Sequence, residues 1–81
     1  ATPESQTPAD LLERRRRAMR VRDALEALKP SEREAVVLRY ESGLPYREIA
    51  ELMAIDEPAA RKRVSRALLQ LRTTLTDEVI R

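Results

Sequence analysis

Apolar residues recur along this chain in short stripes at helical spacing, and prolines or polar clusters separate one stripe from the next. Leu11, Ala18, Val21, Leu25 and Leu28 fall three, four or seven apart, which predicts one amphipathic helix. It begins at Asp10, after Pro8 and Ala9, and stops at Lys29, because the residue before a proline is pushed out of the helical region. Ser31 and Glu34 have the spacing of a capping box, in which the serine accepts from the amide three residues on and the glutamate reaches back, so a second helix starts there. Its apolar run, Ala35, Val36, Val37 and Leu38 with Tyr40 following, predicts the most buried element of the chain. Gly43, the one glycine, stands where a left-handed cap would end this helix, and Leu44 and Pro45 then turn the chain. Tyr46, Ile49, Ala50 and Met53 mark a third helix of about two turns. Ala54, Ile55 and Asp56 break it, and Asp56 is a good N-cap for the next helix. That fourth helix runs from Glu57 to at least Leu71, with Ala60, Val64, Ala67, Leu68, Leu71 and Leu75 on one face. Pro58 is tolerated in its first turn, where amide donors have no partner inside the helix. The pattern leaves open whether this helix ends at Thr73 and Thr74 or continues through Val79.

The expected fold class is therefore all-α: a compact bundle of about four helices over residues 9–81. Residues 1–8, with two prolines, two threonines and a serine and no apolar periodicity, read as a disordered linker remnant. Composition narrows what can hold such a bundle together. A chain of 81 residues makes one small domain at most. It has no cysteine and no histidine, which removes disulfides and structural zinc and leaves helix packing as the source of stability. No apolar run is long enough to span a membrane, and the first residues lack the apolar stretch of a signal peptide, so a cytoplasmic protein is expected. A start at Ala1 rather than methionine suggests a domain cut from a larger parent.

The net charge of +2 matters less than its distribution. Residues 57–72 carry five basic and one acidic side chain, a net of +4, while the rest carries eleven basic and thirteen acidic, a net of −2. A positive segment on a slightly negative body is the footprint of a polyanion-binding surface, although a solvated helix face would read the same way. The run Arg14 to Arg17 points around most of a helix and cannot all touch one ligand; it reads either as a solvated helix entry with pairs such as Asp10–Arg14 and Glu13–Arg17, or as a contact to nucleic acid or protein.

A short helix, a tight turn and a longer basic helix make a helix-turn-helix pattern. The close crossing needs a small residue, which Ala50 supplies. Ile49, Met53, Ile55, Ala60 and Val64 are spaced to lock the crossing angle. The first half of the longer helix must then face a major groove. Arg61, Lys62 and Ser65 lie together on the side away from the Ala60–Val64–Ala67 stripe, with Arg66 at the edge. Each has a plainer reading. Arg61 and Lys62 are also ordinary exposed helix residues, Arg63 has Glu57 or Asp56 within reach, Tyr46 is also a packing residue, and Met53 is core filler. Neither a nucleophile–base pair nor a glycine-rich phosphate loop is present, so an enzyme is not expected, and no cofactor, metal or small-molecule substrate is implied.

The stretch from Asp23 to Leu75 resembles region 4 of the bacterial sigma factors, nearest to the extracytoplasmic-function group. The likeness is carried by Leu38-Arg39-Tyr40, Gly43-Leu44, Tyr46, Glu48-Ile49-Ala50, Arg63 and Arg66-Ala67, which stand at the family's separations. It implies a compact helical domain whose last helix enters the major groove of the −35 promoter element. It assigns base or nearby phosphate contacts to Arg61, Lys62, Ser65 and Arg66, and backbone contacts to Tyr46 and Arg47, with Arg63 supporting a phosphate. The implied partners are double-stranded promoter DNA, the β flap of RNA polymerase core and an anti-sigma factor. This chain departs from the family pattern at three places. Ala54 fills a turn position usually held by glycine, where a left-handed alanine would cost about 1–2 kcal/mol. Pro45 replaces the usual Ser or Thr cap, and Pro58-Ala59-Ala60 stands where Gly-Thr-Val is commoner. Two other readings share the pattern: a protein-interaction module whose grooves take an anti-sigma or polymerase segment, and the output domain of a LuxR-type response regulator, which usually dimerises through its last helix.

Overall fold

The computed structural model describes residues 7–80, with side chains through residue 76. Four helices follow one another: α1 (Pro8–Glu26), α2 (Pro30–Tyr40), α3 (Tyr46–Met53) and α4 (Glu57–Ile80). No strand occurs among the described residues. The all-α expectation holds, and α4 is the hub, packing on each of the other three helices and most extensively on α2.

Two apolar clusters hold the bundle. In one, Leu28, Val36 and Ala67 are buried and are joined by Leu25, Val37, Leu68 and Leu71. In the other, Ile49, Ala50 and Ala60 are buried beneath Leu38, Leu44, Tyr46, Met53 and Ile55. Ala24, Ala35, Ala50, Ala60 and Ala67 are all buried, and such small residues let helices pack closely in a chain with no Phe or Trp.

Helix boundaries differ from expectation where proline and threonine set them. Helix α1 starts at Pro8 rather than Asp10, because Thr7 accepts from the Asp10 amide at 3.1 Å while the Asp10 carboxylate accepts from the Thr7 amide at 3.2 Å. The end of the expected linker thus forms a capping box, and Pro8 takes the first helical position, where its missing N–H costs nothing. Residues 1–6 of that linker lie outside the described residues. The capping box expected at Ser31 and Glu34 does not form. Pro30, with φ already restricted to helical values, starts α2 one residue earlier, and its N-cap, Lys29, makes no side-chain bond. Glu32 then becomes the first-turn acid and is almost buried, placed where the helix N-terminus favours negative charge. Helix α1 stops at Glu26, short of Lys29, and Leu28 reaches the core from the connection. Helix α4 continues through Thr73 and Thr74 to Ile80, with the Thr73 hydroxyl donating to the Leu69 carbonyl at 3.0 Å.

The largest departure concerns the expected α1 stripe. Leu11, Ala18 and Val21 are exposed, as is every residue from 7 to 19, and Ala24 is the helix's buried residue. The layer formed by α2 and α4 covers only the C-terminal turns of α1. Tyr40 also lies outside the core at 62% exposure, although α2 itself packs Ala35 and Val36 inward.

Candidate nucleic-acid interface

The turn between α3 and α4 is built by backbone bonds that end one helix and start the next. Ala54 adopts the left-handed conformation (φ 56°, ψ 45°). The Ile55 amide donates to the Ala50 carbonyl at 3.0 Å and the Ala54 amide to the Glu51 carbonyl at 3.3 Å, the paired bonds of a Schellman stop. Asp56 then caps α4, its Oδ1 accepting from the Ala59 amide at 2.8 Å. At the other end of α3, Pro45 is extended and offers no side-chain acceptor; its carbonyl accepts instead from the Glu48 and Ile49 amides at 3.0 and 3.1 Å. Gly43 supplies the second left-handed residue (φ 70°) of the segment, and the Leu44 amide donates back to the Leu38 carbonyl at 3.0 Å.

The helix pair is locked by Ile49 and Ala60, both fully buried, with Ala50 nearly so, and Met53 and Ile55 close the edge half-buried; Val64 is buried further along α4. On the opposite side of α4, Arg61, Lys62, Ser65 and Arg66 are all exposed. They do not form one tight group. Five residues of helix turn Arg61 and Arg66 about 140° apart, so they border the outward face from its two sides. Arg61 lies against α3 through Tyr46, whereas Arg66 shares a shallow depression with Lys29, Glu32 and Gln70. Lys62 and Ser65 occupy the middle. Arg47 is exposed at the start of α3, and Arg63 is half-buried on α4.

Two residues emerge here that spacing alone left unassigned. The Arg61 guanidinium donates to Glu57 Oε1 at 2.9 Å, so Glu57 pairs with Arg61 and not with Arg63. Glu57 and Arg61 stand four apart on one helix, a signal that was present in the sequence. The second is Arg39. Its guanidinium carbon lies 4.3 Å from the centroid of the Tyr46 ring, and that of Arg61 lies 4.6 Å from the same centroid. Arg39 also donates to the Leu44 carbonyl at 3.1 Å. That juxtaposition is tertiary, and no local pattern announces it. Half-buried Tyr46 thus carries two cations and joins the end of α2, the start of α3 and the first turns of α4.

The arrangement presents cationic and hydroxyl donors along the exposed side of α4 and the start of α3. Among the described residues no group of acidic side chains is placed to hold a metal ion, and no helix is long and apolar enough to cross a membrane. A family model described as sigma-70, region 4, matches residues 18–71, from the middle of α1 through the packed part of α4. The RNA polymerase sigma factor CarQ of Myxococcus xanthus is 43% identical over 75 residues, which cover 93% of this chain and 42% of that relative. The chain therefore spans less than half the length of the curated relative it matches.

Proposed function

The chain belongs to the sigma-70 region 4 family, and from that premise we propose that it reads the −35 element of promoter DNA as the DNA-binding domain of a sigma factor directing transcription initiation. Sigma factors are transcription factors rather than enzymes, and the similarity to a named sigma factor supports the same class here. The observation that carries the reading is the left-handed stop at Ala54 followed by the Asp56 cap, because together they make α3 a brace and α4 a probe. On that frame Arg61, Lys62 and Ser65 lie on the side away from buried Ala60 and Val64, exposed where base edges of a major groove would meet them. Tyr46 and Arg47 at the start of α3, with Arg63 and Arg66, meet flanking phosphates. The net +4 of residues 57–72 draws the domain to DNA before any base is read. Residues 9–81 act as this one domain, working in the cytoplasm.

A second, compatible reading concerns protein partners. An apolar groove lined by Val21, Leu25, Val36, Val37, Tyr40, Leu68 and Leu71 opens between α1, α2 and α4. It lies apart from Arg61 and Lys62 and suits a segment of RNA polymerase core, in keeping with the β flap contact implied by the family; an anti-sigma factor would instead act by covering the DNA-binding edge. The family assignment favours both over a dimerising response-regulator output domain.

A salt titration of labelled duplexes carrying candidate −35 sequences, against scrambled controls, tests the proposal. About five phosphate contacts predict a log–log slope of about −4.5, with tighter binding to one sequence class at every salt concentration. Equal binding to all duplexes would reject promoter reading.

A further inference from the structure

We infer that Glu57 is a specificity-determining positioning residue: together with the Tyr46 ring it clamps the Arg61 guanidinium so that its remaining donors meet a base pair in one orientation. The inference rests on the base-reading role proposed above for Arg61. An unrestrained exposed arginine carries about 2 kcal/mol of side-chain rotamer entropy and reaches phosphates in many geometries. Arg61 is restrained in two ways. Its Nη2 donates to Glu57 Oε1 at 2.9 Å, and its guanidinium carbon stands 4.6 Å from the Tyr46 ring centroid. The ring is held in turn, since Arg39 lies over it at 4.3 Å while donating to the Leu44 carbonyl at 3.1 Å. Arg61 is thereby tied to α4 through Glu57, to α3 through Tyr46, and through Arg39 to the turn after α2.

The chemistry of the clamp suits base reading. A guanidinium has five N–H donors, and the Glu57 bond leaves enough of them for two parallel bonds to guanine O6 and N7. Stability does not explain the pair. The two side chains are 59% and 47% exposed, and an ion pair of that kind contributes little to folding. A carboxylate on an edge meant for phosphates also repels DNA of any sequence. Its value lies in discrimination: held by Glu57, Arg61 meets the correct base edge pre-ordered, and without Glu57 it swings to the nearest phosphate and binds all sequences alike.

The test uses the tightest duplex selected from a randomised pool, a scrambled version of it, and the full chain as wild type, E57A, E57Q, R61A and E57A/R61A. None of these substitutions touches the Asp56 carboxylate that accepts from the Ala59 amide and caps α4. Glu57→Ala is expected to reduce the ratio of selected to scrambled affinity by about five- to tenfold, within what one bidentate base contact supplies. Glu57→Gln keeps an acceptor oxygen within reach of Nη2 and is expected to restore most of that ratio although it too lacks the charge. In the R61A background, Glu57→Ala is expected to leave the ratio unchanged, because its effect passes through Arg61. Equal shifts on both duplexes in E57A and E57Q would reduce Glu57 to a point charge and overturn the inference, as would an undiminished effect in the R61A background. A wild-type chain that selects no preferred duplex would overturn the promoter reading itself, and this inference with it; clear selection with a silent E57A would overturn the inference alone.

Discussion

The first turns of α1 and the α3–α4 pair are built from the same ingredients, apolar residues at helical spacing among arginines, yet they end in opposite environments. In α3 and α4 the spacing closes on itself: Ile49, Ala50 and Ala60 are buried in one cluster, Val64 is buried one turn further along α4, and the cations are left on the far side. Of the α1 stripe only the C-terminal part, Leu25 and Leu28, reaches a core cluster, and the first turns stay exposed. Leu11, Leu12 and Met19 are each at least half exposed, and Arg14 to Arg17 surround them. The family match begins at residue 18 and so leaves most of this segment out. An apolar stripe states that a helix is able to bury a face; whether it does depends on a partner face within reach. Arg61 is oriented by Glu57 and Tyr46, and that turns positive charge into a directed donor.

This contrast breaks most visibly through substitution in the packed pair. Ile49→Ala removes a fully buried side chain where α3 meets α4 and is expected to lower stability by about 2–5 kcal/mol, read from denaturant unfolding. A loss below about 1 kcal/mol would mean that the pair is not rigidly packed. On the outward face, Arg61→Ala is expected to lose about 1–3 kcal/mol on a preferred duplex and to relax discrimination at one base position, measured by competition binding. Equal loss on preferred and random DNA would make Arg61 a phosphate anchor. At the turn, Ala54→Gly relieves a left-handed alanine and is expected to raise stability by up to about 1 kcal/mol, the relief being partly offset by glycine's freedom in the unfolded chain. Destabilisation would contradict the left-handed stop. Smallest of all, Met19→Ala in α1 is expected to change stability by no more than about 0.5 kcal/mol. A large loss there would show that the first turns of α1 are packed after all and would erase the distinction between the two regions.

Much of this architecture was legible in the residues because its causes are local. The break at Ala54, the Asp56 cap and the start of α4 arise from short-range chemistry, and all three stand where spacing predicted them. The left-handed Gly43 was readable for the same reason. The errors arose where two local signals competed or where the answer was tertiary. Ser31 and Glu34 looked like a capping box, but Pro30 starts the helix sooner and moves them inside it. Thr7 and Asp10 formed the box that was overlooked, because the prolines around them read as linker. The fate of the α1 stripe could not be read from periodicity, which is blind to what lies opposite. Nor could the meeting of Arg39 and Arg61 on Tyr46, since the two arginines stand 22 positions apart in the sequence and only the folded turn unites them.

The most direct test of the central claim is nuclear magnetic resonance mapping of backbone and arginine side-chain signals while a selected duplex is titrated into the labelled chain. The largest shifts are expected at Tyr46, Arg47 and residues 61–66, including the Arg61 side-chain N–H groups, with residues 11–19 little changed. Shifts concentrated at Arg14 to Arg17, with Arg61 and Lys62 unmoved, would contradict the assignment of α4 as the DNA-reading helix.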